Sequence, residues 1–422
     1  MQGRQDHARV LWVTEEPPDR RLGGGNIRQS YLFQALASVV PTDLLVVGPV
    51  TDEHVTSQAV SITELPKRRA LWSEHPIGRR ALELAITLGS RYPMPAYPAY
   101  PGRRALGRAI SARQTQYDLV CVEHEALAPL VPRSQAQPWI ITFHHLLSRM
   151  IETELGLAPG RRQRWFRLRD LRKARRLEQR ALRRYARCVV CSSQDAVALG
   201  ALGDQDGRDR IAVVPNGVDL AAFNPSPVPR QPRILLPGTL GWGPNVDGAV
   251  WFCAEVWPSI RASVPEATLV LAGRSPVDEV LDLARLPGVS IHADVPSMVP
   301  YFESTRLVVV PLRVGTGTRL KALEAMAAGR PVVGTRIGLD GIGAVDGTGV
   351  RVADDPEAFA SAVVETLTRD DIARPLAKSG RAHVERHFGW DRIGSQFVAM
   401  VSELLEREDA RHPASSSPSR AA

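Results

Sequence analysis

Short apolar runs alternate along the chain with stretches whose apolar positions recur at helical spacing. VLWVT (10–14), DLLVVG (43–48), DLVCVEH (118–124), WIITFHH (139–145), CVVCSS (188–193) and AVVPNG (212–217) form a first series. RILLPG (233–238), TLVLAG (268–273), VSIHADV (289–295), RLVVVPL (306–312) and RPVVGT (330–335) form a second. Apolar strands separated by amphipathic helices predict an α/β fold with parallel sheets and crossover helices.

Between the series, VPNGVDLAAFNPSPVPRQPR crowds Pro and Asn-Gly together and continues neither helix nor sheet. Residues 214–232 are therefore expected to link a first domain, 1–213, to a second, 233–386. Ligands of open parallel sheets bind beyond the carboxyl ends of the strands, so two such sheets facing each other make one cleft. Ile393, Phe397, Val401 and Leu404 recur at helical spacing. The segment 387–408 is expected to be a helix packing back toward the first domain, followed by a disordered Ser/Pro/Ala tail, 409–422.

Composition agrees with two domains: 422 residues, 44% hydrophobic and 23% charged, suit a soluble globular protein with two cores. No run of eighteen or more residues is apolar, and the polar start MQGRQDHARVLWVT passes straight into a strand, so a cytoplasmic protein is expected. Four cysteines are too few for a disulfide framework, and Cys188 and Cys191 read as buried structural thiols. The net charge of +8 is concentrated, with thirteen Arg or Lys between Arg161 and Arg187. Trp165, Phe166, Leu168, Leu171, Leu177 and Leu182 interleave with them. The stretch predicts a basic amphipathic helix, which either lies against an anionic membrane surface or packs its apolar stripe on the first domain. No nucleic-acid module accompanies the charge, and no nucleic acid is expected.

The chemistry concentrates in Pro311–Pro331, PLRVGTGTRLKALEAMAAGRP: a strand, a Gly-rich loop and a good helix ended by Gly329 and Pro331. Gly315 and Gly317 let backbone approach an anion, and the amides of Thr318, Arg319 and Leu320 open the helix. Arg319 and Lys321 stand in the first turn, where the helix dipole disfavours cations unless an anion offsets them. Glu324, further along, suits a pair of vicinal hydroxyls. In the first half, Leu22-Gly23-Gly24-Gly25-Asn26 opens a second helix after the first strand. Arg28 replaces the third glycine of a dinucleotide pattern, which argues against NAD.

These residues resemble a known family. From about Ala212 to Leu367, and more loosely throughout, the chain is similar to the retaining glycosyltransferases of family four. The likeness rests on VVPNGVDLAAF, LPGTLGWGPNVDGAVWF, VLAGRSP, HADVPSMVPYFESTRLVVVPL, GTGTRLKALEAMAAGRPVVGT and GLDGI. The resemblance implies the GT-B fold, two Rossmann-like domains with parallel sheets facing an interdomain cleft. It also implies a nucleoside diphosphate sugar as donor, with a UDP-sugar the one expected, no other cofactor and no metal. By it, Gly24, Gly25, Gly238, Thr239, Val295, Gly315, Thr316, Gly317, Thr318, Leu320 and Glu324 bind donor, Glu324 through the ribose.

Two departures stand out. The family's first glutamate falls on Thr316, as in the branch whose loop reads GTRLK-LEA, and its Arg and Lys after the first strand of the second half are missing around Thr239, Pro244 and Asn245. Arg319 and Lys321 are expected to replace them at the diphosphate, with His144 near the transferred sugar as the third catalytic residue. His144 and His145 end a strand and are site residues or ordinary satisfied histidines. Glu123 and Glu125 read as loop charges, one of which meets the acceptor or neither. Asp204-Gln205-Asp206 reads as a polar loop rather than a metal site. Acceptor contacts are expected in variable loops such as Leu65–Arg104. The rival expectations are a sugar-nucleotide epimerase, a catalytically silent partner subunit, or a polyanion-binding scaffold.

Overall fold

The structure, a computed structural model, describes residues 8–67, 88–93, 96, 101–132, 135, 137–157 and 160–411. Two seven-stranded parallel sheets organise it. The first has the order β3-β2-β1-β4-β5-β6-β7, with β1 Val10–Thr14, β2 Thr42–Val47, β3 Ile62–Leu65, β4 Leu119–Glu123, β5 Trp139–Thr142, β6 Arg187–Val190 and β7 Ile211–Val213. The second has the order β10-β9-β8-β11-β12-β14-β13, with β8 Arg233–Thr239, β9 Thr268–Arg274, β10 Val289–Ala293, β11 Leu307–Val310, β12 Val332–Gly334, β13 Val345–Asp346 and β14 Gly349–Val352.

All eleven apolar runs are strands. Their near-continuous hydrophobicity has a direct cause, since both faces of each sheet are covered. In β1, Val10 and Trp12 enter one core cluster while Leu11 and Val13 enter the other, as the two-residue period requires. Likewise Leu307 and Val309 of β11 point to one face, and Val308 and Val310 to the opposite one. Three further strands are short: ITEL at an edge of the first sheet, VD at an edge of the second, and GVRV beside it.

The chain passes between the sheets through residues 214–232, which hold no helix, and returns near Phe388. The two crossings touch, Val218 N–H donating to the Phe388 carbonyl at 2.7 Å. A helix, Trp390–Arg411, then packs on the first sheet and on helix Gly24–Ala37. Trp390 stacks on Tyr31 with centroids 4.7 Å apart, and Phe397 meets Trp12 edge-on at 5.9 Å. Burying Phe397 alone stabilises this docking by about 1.5–3 kcal/mol. This helix outruns its expected end at 408, running to Arg411, while Leu404 is its last buried apolar residue. The rest of the expected tail, 412–422, and most of Leu65–Arg104 lie outside the described residues.

Candidate functional site

The carboxyl ends of both sheets face a cleft of about 730 Å³. Its walls are the glycine turn before helix Gly24–Ala37, the ends of β4 and β5, the ends of β8 and β9, and the start of helix Leu320–Ala327. Gly24, Gly25, His144, Gly238, Thr239, Thr316, Thr318, Arg319, Leu320, Lys321 and Glu324 all line it. Three expected donor residues do not. Val295 lies in the loop past β10, while Gly315 and Gly317 are turned under the donor loop, toward the Arg319 guanidinium and the His144 carbonyl.

The Gly-rich loop before helix Leu320–Ala327 is sewn to the first half of the molecule and to the 214–232 crossing. Gly315 N–H donates to Thr153 Oγ1 at 3.2 Å, and Thr316 Oγ1 accepts from Leu146 N–H at 3.2 Å. Thr318 Oγ1 donates to the Cys191 carbonyl, and Asn216 Nδ2 donates to the Thr318 carbonyl at 3.0 Å. The Gly315 amide therefore holds Thr153, contrary to the expectation that it lies open to a diphosphate.

Arg319 and Lys321 have different surroundings. Arg319 is the N-cap of helix Leu320–Ala327 rather than a first-turn residue. Its Nε donates to the Ile337 carbonyl at 3.1 Å and its Nη1 to the Thr316 carbonyl at 2.9 Å, which braces the loop; Nη2 is buried without a partner. Lys321 reaches the end of β8: its Nζ donates to Asn245 Oδ1 at 2.7 Å, and Asn245 Nδ2 donates to the Thr239 carbonyl at 2.8 Å. Gly238 is required here. Its φ is +153°, and a Cβ would stand 2.7 Å from Lys321 Nζ.

Lys321 and Glu324 line the cleft half-buried, with most of their solvent removed. Burial, then the neighbouring Arg319 charge, pushes the Lys321 ammonium down to about 7, against the pull of Glu324. Burial pushes the Glu324 carboxyl up to about 7, against the pull of Lys321. Both groups thus stand at the edge of their charged forms.

On the opposite wall, Glu123 and Glu125 are buried, at 0% and 1% exposure, and so are not loop charges. Glu123 Oε2 lies 2.8 Å from His144 Nε2, and Glu125 Oε2 accepts the His144 N–H at 3.1 Å. Burial pushes the His144 and His145 imidazoles down to about 4, so both are neutral near pH 7. His145 stacks across the cleft on Trp242, with centroids 5.9 Å apart.

Several cleft residues escaped the sequence reading as site residues. Trp242 and Arg274 follow β8 and end β9; strand-end position was their one available signal. Arg28 is fully buried and donates to the Pro215 carbonyl and Asn216 Oδ1, so the 214–232 crossing forms part of the cleft wall. Arg149 bridges the halves, its Nη1 lying 2.6 Å from Asp195 and 3.2 Å from Asp340.

The remaining expectations lie elsewhere. Asp204 caps a short helix, accepting from Gly207 N–H at 3.0 Å. Among the described residues no group of three or more His, Cys, Asp or Glu is placed to hold a metal, and all four cysteines are free and buried. The Arg-rich stretch forms helix Arg161–Arg184, with Leu171, Leu177 and Leu182 buried in the first-domain core and Trp165 51% exposed. None of the helices among the described residues is long and apolar enough to cross a membrane.

Comparison with known proteins adds the family. Residues 231–369 match the family described as Glycosyl transferases group 1, and residues 68–222 match Glycosyltransferase Family 4. Together the matches span well over half of the chain. By these matches the chain belongs to the group 1, family 4 glycosyltransferase family. D-inositol 3-phosphate glycosyltransferase of Xylanimonas cellulosilytica is 32% identical over 247 residues, covering 53% of this chain and 58% of that relative. The matched region thus spans little more than half of the relative's length.

The fold is GT-B, shared with solved structures of low identity. Sucrose-phosphate synthase from Thermosynechococcus elongatus superposes with a TM-score of 0.71 at 19% identity, over 95% of this chain and 100% of that one. Anabaena HepE, solved in complex with UDP-glucose, gives 0.62 at 14% identity, over 94% and 100%.

Proposed function

We propose that the protein transfers a sugar from a nucleoside diphosphate sugar to a hydroxyl of a saccharide, a lipid-linked saccharide or a small molecule, with retention and without a metal. The observation that carries this reading is Lys321: it supplies a cation at the end of β8, where the chain itself has none between Gly238 and Trp242. In the reaction, the bond from the anomeric carbon to the diphosphate breaks and the acceptor oxygen bonds from the same face. The acceptor proton passes to the departing phosphate oxygen, so no protein nucleophile is required.

The residues then act by position and charge. Lys321 neutralises charge growing on the leaving diphosphate, and Glu324 accepts from the ribose hydroxyls. Arg319 holds the donor loop while adding positive potential, and His144 faces the transferred sugar. A UDP-sugar is the first donor to test, since HepE, with the same fold, holds UDP-glucose.

The test is incubation of the full chain with a panel of nucleotide sugars, read by mass spectrometry. Slow release of nucleoside diphosphate supports the transferase. A donor returned with altered sugar supports an epimerase, and binding without any turnover supports a silent partner subunit.

A cytoplasmic enzyme resting on the inner membrane face is the location proposed, with helix Arg161–Arg184 against anionic lipid: its exposed Trp165 and Leu168 stand among arginines. Salt-sensitive sedimentation with phosphatidylglycerol vesicles, and none with phosphatidylcholine, is expected. Equal binding to both sinks the idea.

A further inference from the structure

Glu123 and His144 meet because β4 and β5 are neighbours, with Glu123 opposite Thr142 in register and His144 two residues further on. The carboxylate is wholly buried and the imidazole 7% exposed, and their 2.8 Å contact uses His144 Nε2. The ring is further fixed through its backbone, which Glu125 accepts. Its other nitrogen, Nδ1, has no hydrogen bond to the described residues. It abuts the glycine turn at the cleft, since a Cβ on Gly25 would come within 2.8 Å of it.

A second observation concerns Arg28. Its side chain is buried within reach of this pair's charges; its Nε and Nη2 lack partners, as does Glu123 Oε1. A guanidinium does not shed its charge, so it favours a carboxylate on Glu123 and disfavours an imidazolium on His144. Where Glu123 is ionised it only accepts, and the His144 proton then lies on Nε2.

Resting on the transferase reading above, we propose that Glu123 is a positioning residue that holds His144 as the Nε2–H tautomer, presenting Nδ1 to the cleft as a bare acceptor for a sugar hydroxyl. The donor specificity follows. A hydroxyl of a neutral sugar donates to Nδ1, whereas a carboxylate at that position of a uronic acid has nothing to donate. The groups facing the pair are Arg28 from helix Gly24–Ala37, Thr142 of β5, His145 after it, His124 and Glu125 after β4, and Cys191 after β6. Burial brings the Glu123 carboxyl up to about 7 against Arg28. Below that pH Glu123 is protonated and donates to Nε2, and the His144 proton moves to Nδ1, turning the acceptor into a donor.

The test is a long-range proton–nitrogen spectrum of the full chain labelled with ¹⁵N-histidine, with His144 assigned by its loss in His144→Gln. At pH 8 we expect a protonated Nε2 and a bare Nδ1, reversing with a midpoint near 7 as pH falls. A proton on Nδ1 at pH 8, or averaging between tautomers, overturns the proposal. In kinetics, Glu123→Gln should lower kcat roughly tenfold and remove the acid limb of its pH profile, yet change kcat by less than about twofold in a His144→Gln background. Equal losses in both backgrounds mean a purely structural role. The spectra need no substrate, so failure of the transferase reading appears as missing donor turnover with the tautomer intact. Failure of this proposal appears as the wrong tautomer in an active enzyme.

Discussion

Lys321 Nζ sits 2.7 Å from Asn245 Oδ1, so a cation from helix Leu320–Ala327, which follows β11, stands at the end of β8. Replacing it tests the central claim. Lys321→Met keeps the length of the side chain and removes its charge, and should lower kcat about 10²–10³-fold, the effect of deleting one group aimed at developing charge. Arg319→Met should act differently, because Arg319 bonds the Thr316 and Ile337 carbonyls. It should lower thermal stability as well as turnover, and the double variant should be inactive. Steady-state kinetics and thermal melts of the three variants distinguish these outcomes; an active double variant would falsify the claim that the two residues serve the diphosphate.

Donor affinity should follow a narrow bell centred near pH 7. Below 7 Glu324, with its carboxyl raised to about 7, is increasingly protonated and loses capacity to accept from ribose. Above 7 Lys321, lowered to about 7, loses its charge. The two titrate as a pair, so each limb belongs to the coupled site until a variant isolates it. Glu324→Gln should flatten the acid limb and Lys321→Met the alkaline one. Because a bound diphosphate favours the ammonium, binding at pH 8 should also take up a proton. Calorimetry with a nucleotide sugar in buffers of different ionisation enthalpy reads both effects, and heats independent of buffer at pH 8 count against them.

Interior strands such as VLWVT and LVVV were legible because a parallel strand buried on both faces is apolar throughout. ITEL was not, since β3 is an edge strand with every residue at least partly exposed, and VD and GVRV are too short to show a period. Lys321 was legible as a cation at a helix start, where it breaks the dipole rule. Its reach to Asn245 was not, because that contact joins residues 76 apart. The same holds for Arg28, whose partners Pro215 and Asn216 lie 187 and 188 positions away. Glu123 shows a different limit: a carboxylate ending a strand looks the same in sequence whether water or a histidine receives it.

Arg149 should govern how firmly the two halves hold together. Its guanidinium is shared between Asp195 of the first half and Asp340 of the second, both nearly buried. Arg149→Leu leaves two buried carboxylates without their cation, a loss on the order of 3–5 kcal/mol when a buried pair is broken from one side. Asp195 keeps Ser192 Oγ at 2.8 Å, so the cost should fall toward the lower figure. Asp340→Asn should cost less, since Arg149 retains Asp195. Thermal unfolding orders the variants, and small-angle scattering should show a wider molecule for Arg149→Leu. Unchanged melting and scattering would mean the bridge is incidental.

Glu324 offers the most selective test of nucleotide binding. If it accepts from both ribose hydroxyls, Glu324→Gln should weaken binding of a nucleoside diphosphate by roughly 10–100-fold, as for lost hydrogen bonds to a charged group. A 2′-deoxy nucleotide has one of those donors already missing, so the same substitution should weaken its binding much less. The ratio between the two losses isolates the ribose contact from any general damage to helix Leu320–Ala327, which would reduce both affinities alike. Titration at pH 8, where Glu324 is ionised in the unsubstituted protein, keeps the comparison between a carboxylate and an amide. An equal loss for ribo and deoxyribo nucleotides would assign Glu324 to supporting Lys321, three residues before it on the same helix, instead of reading the sugar.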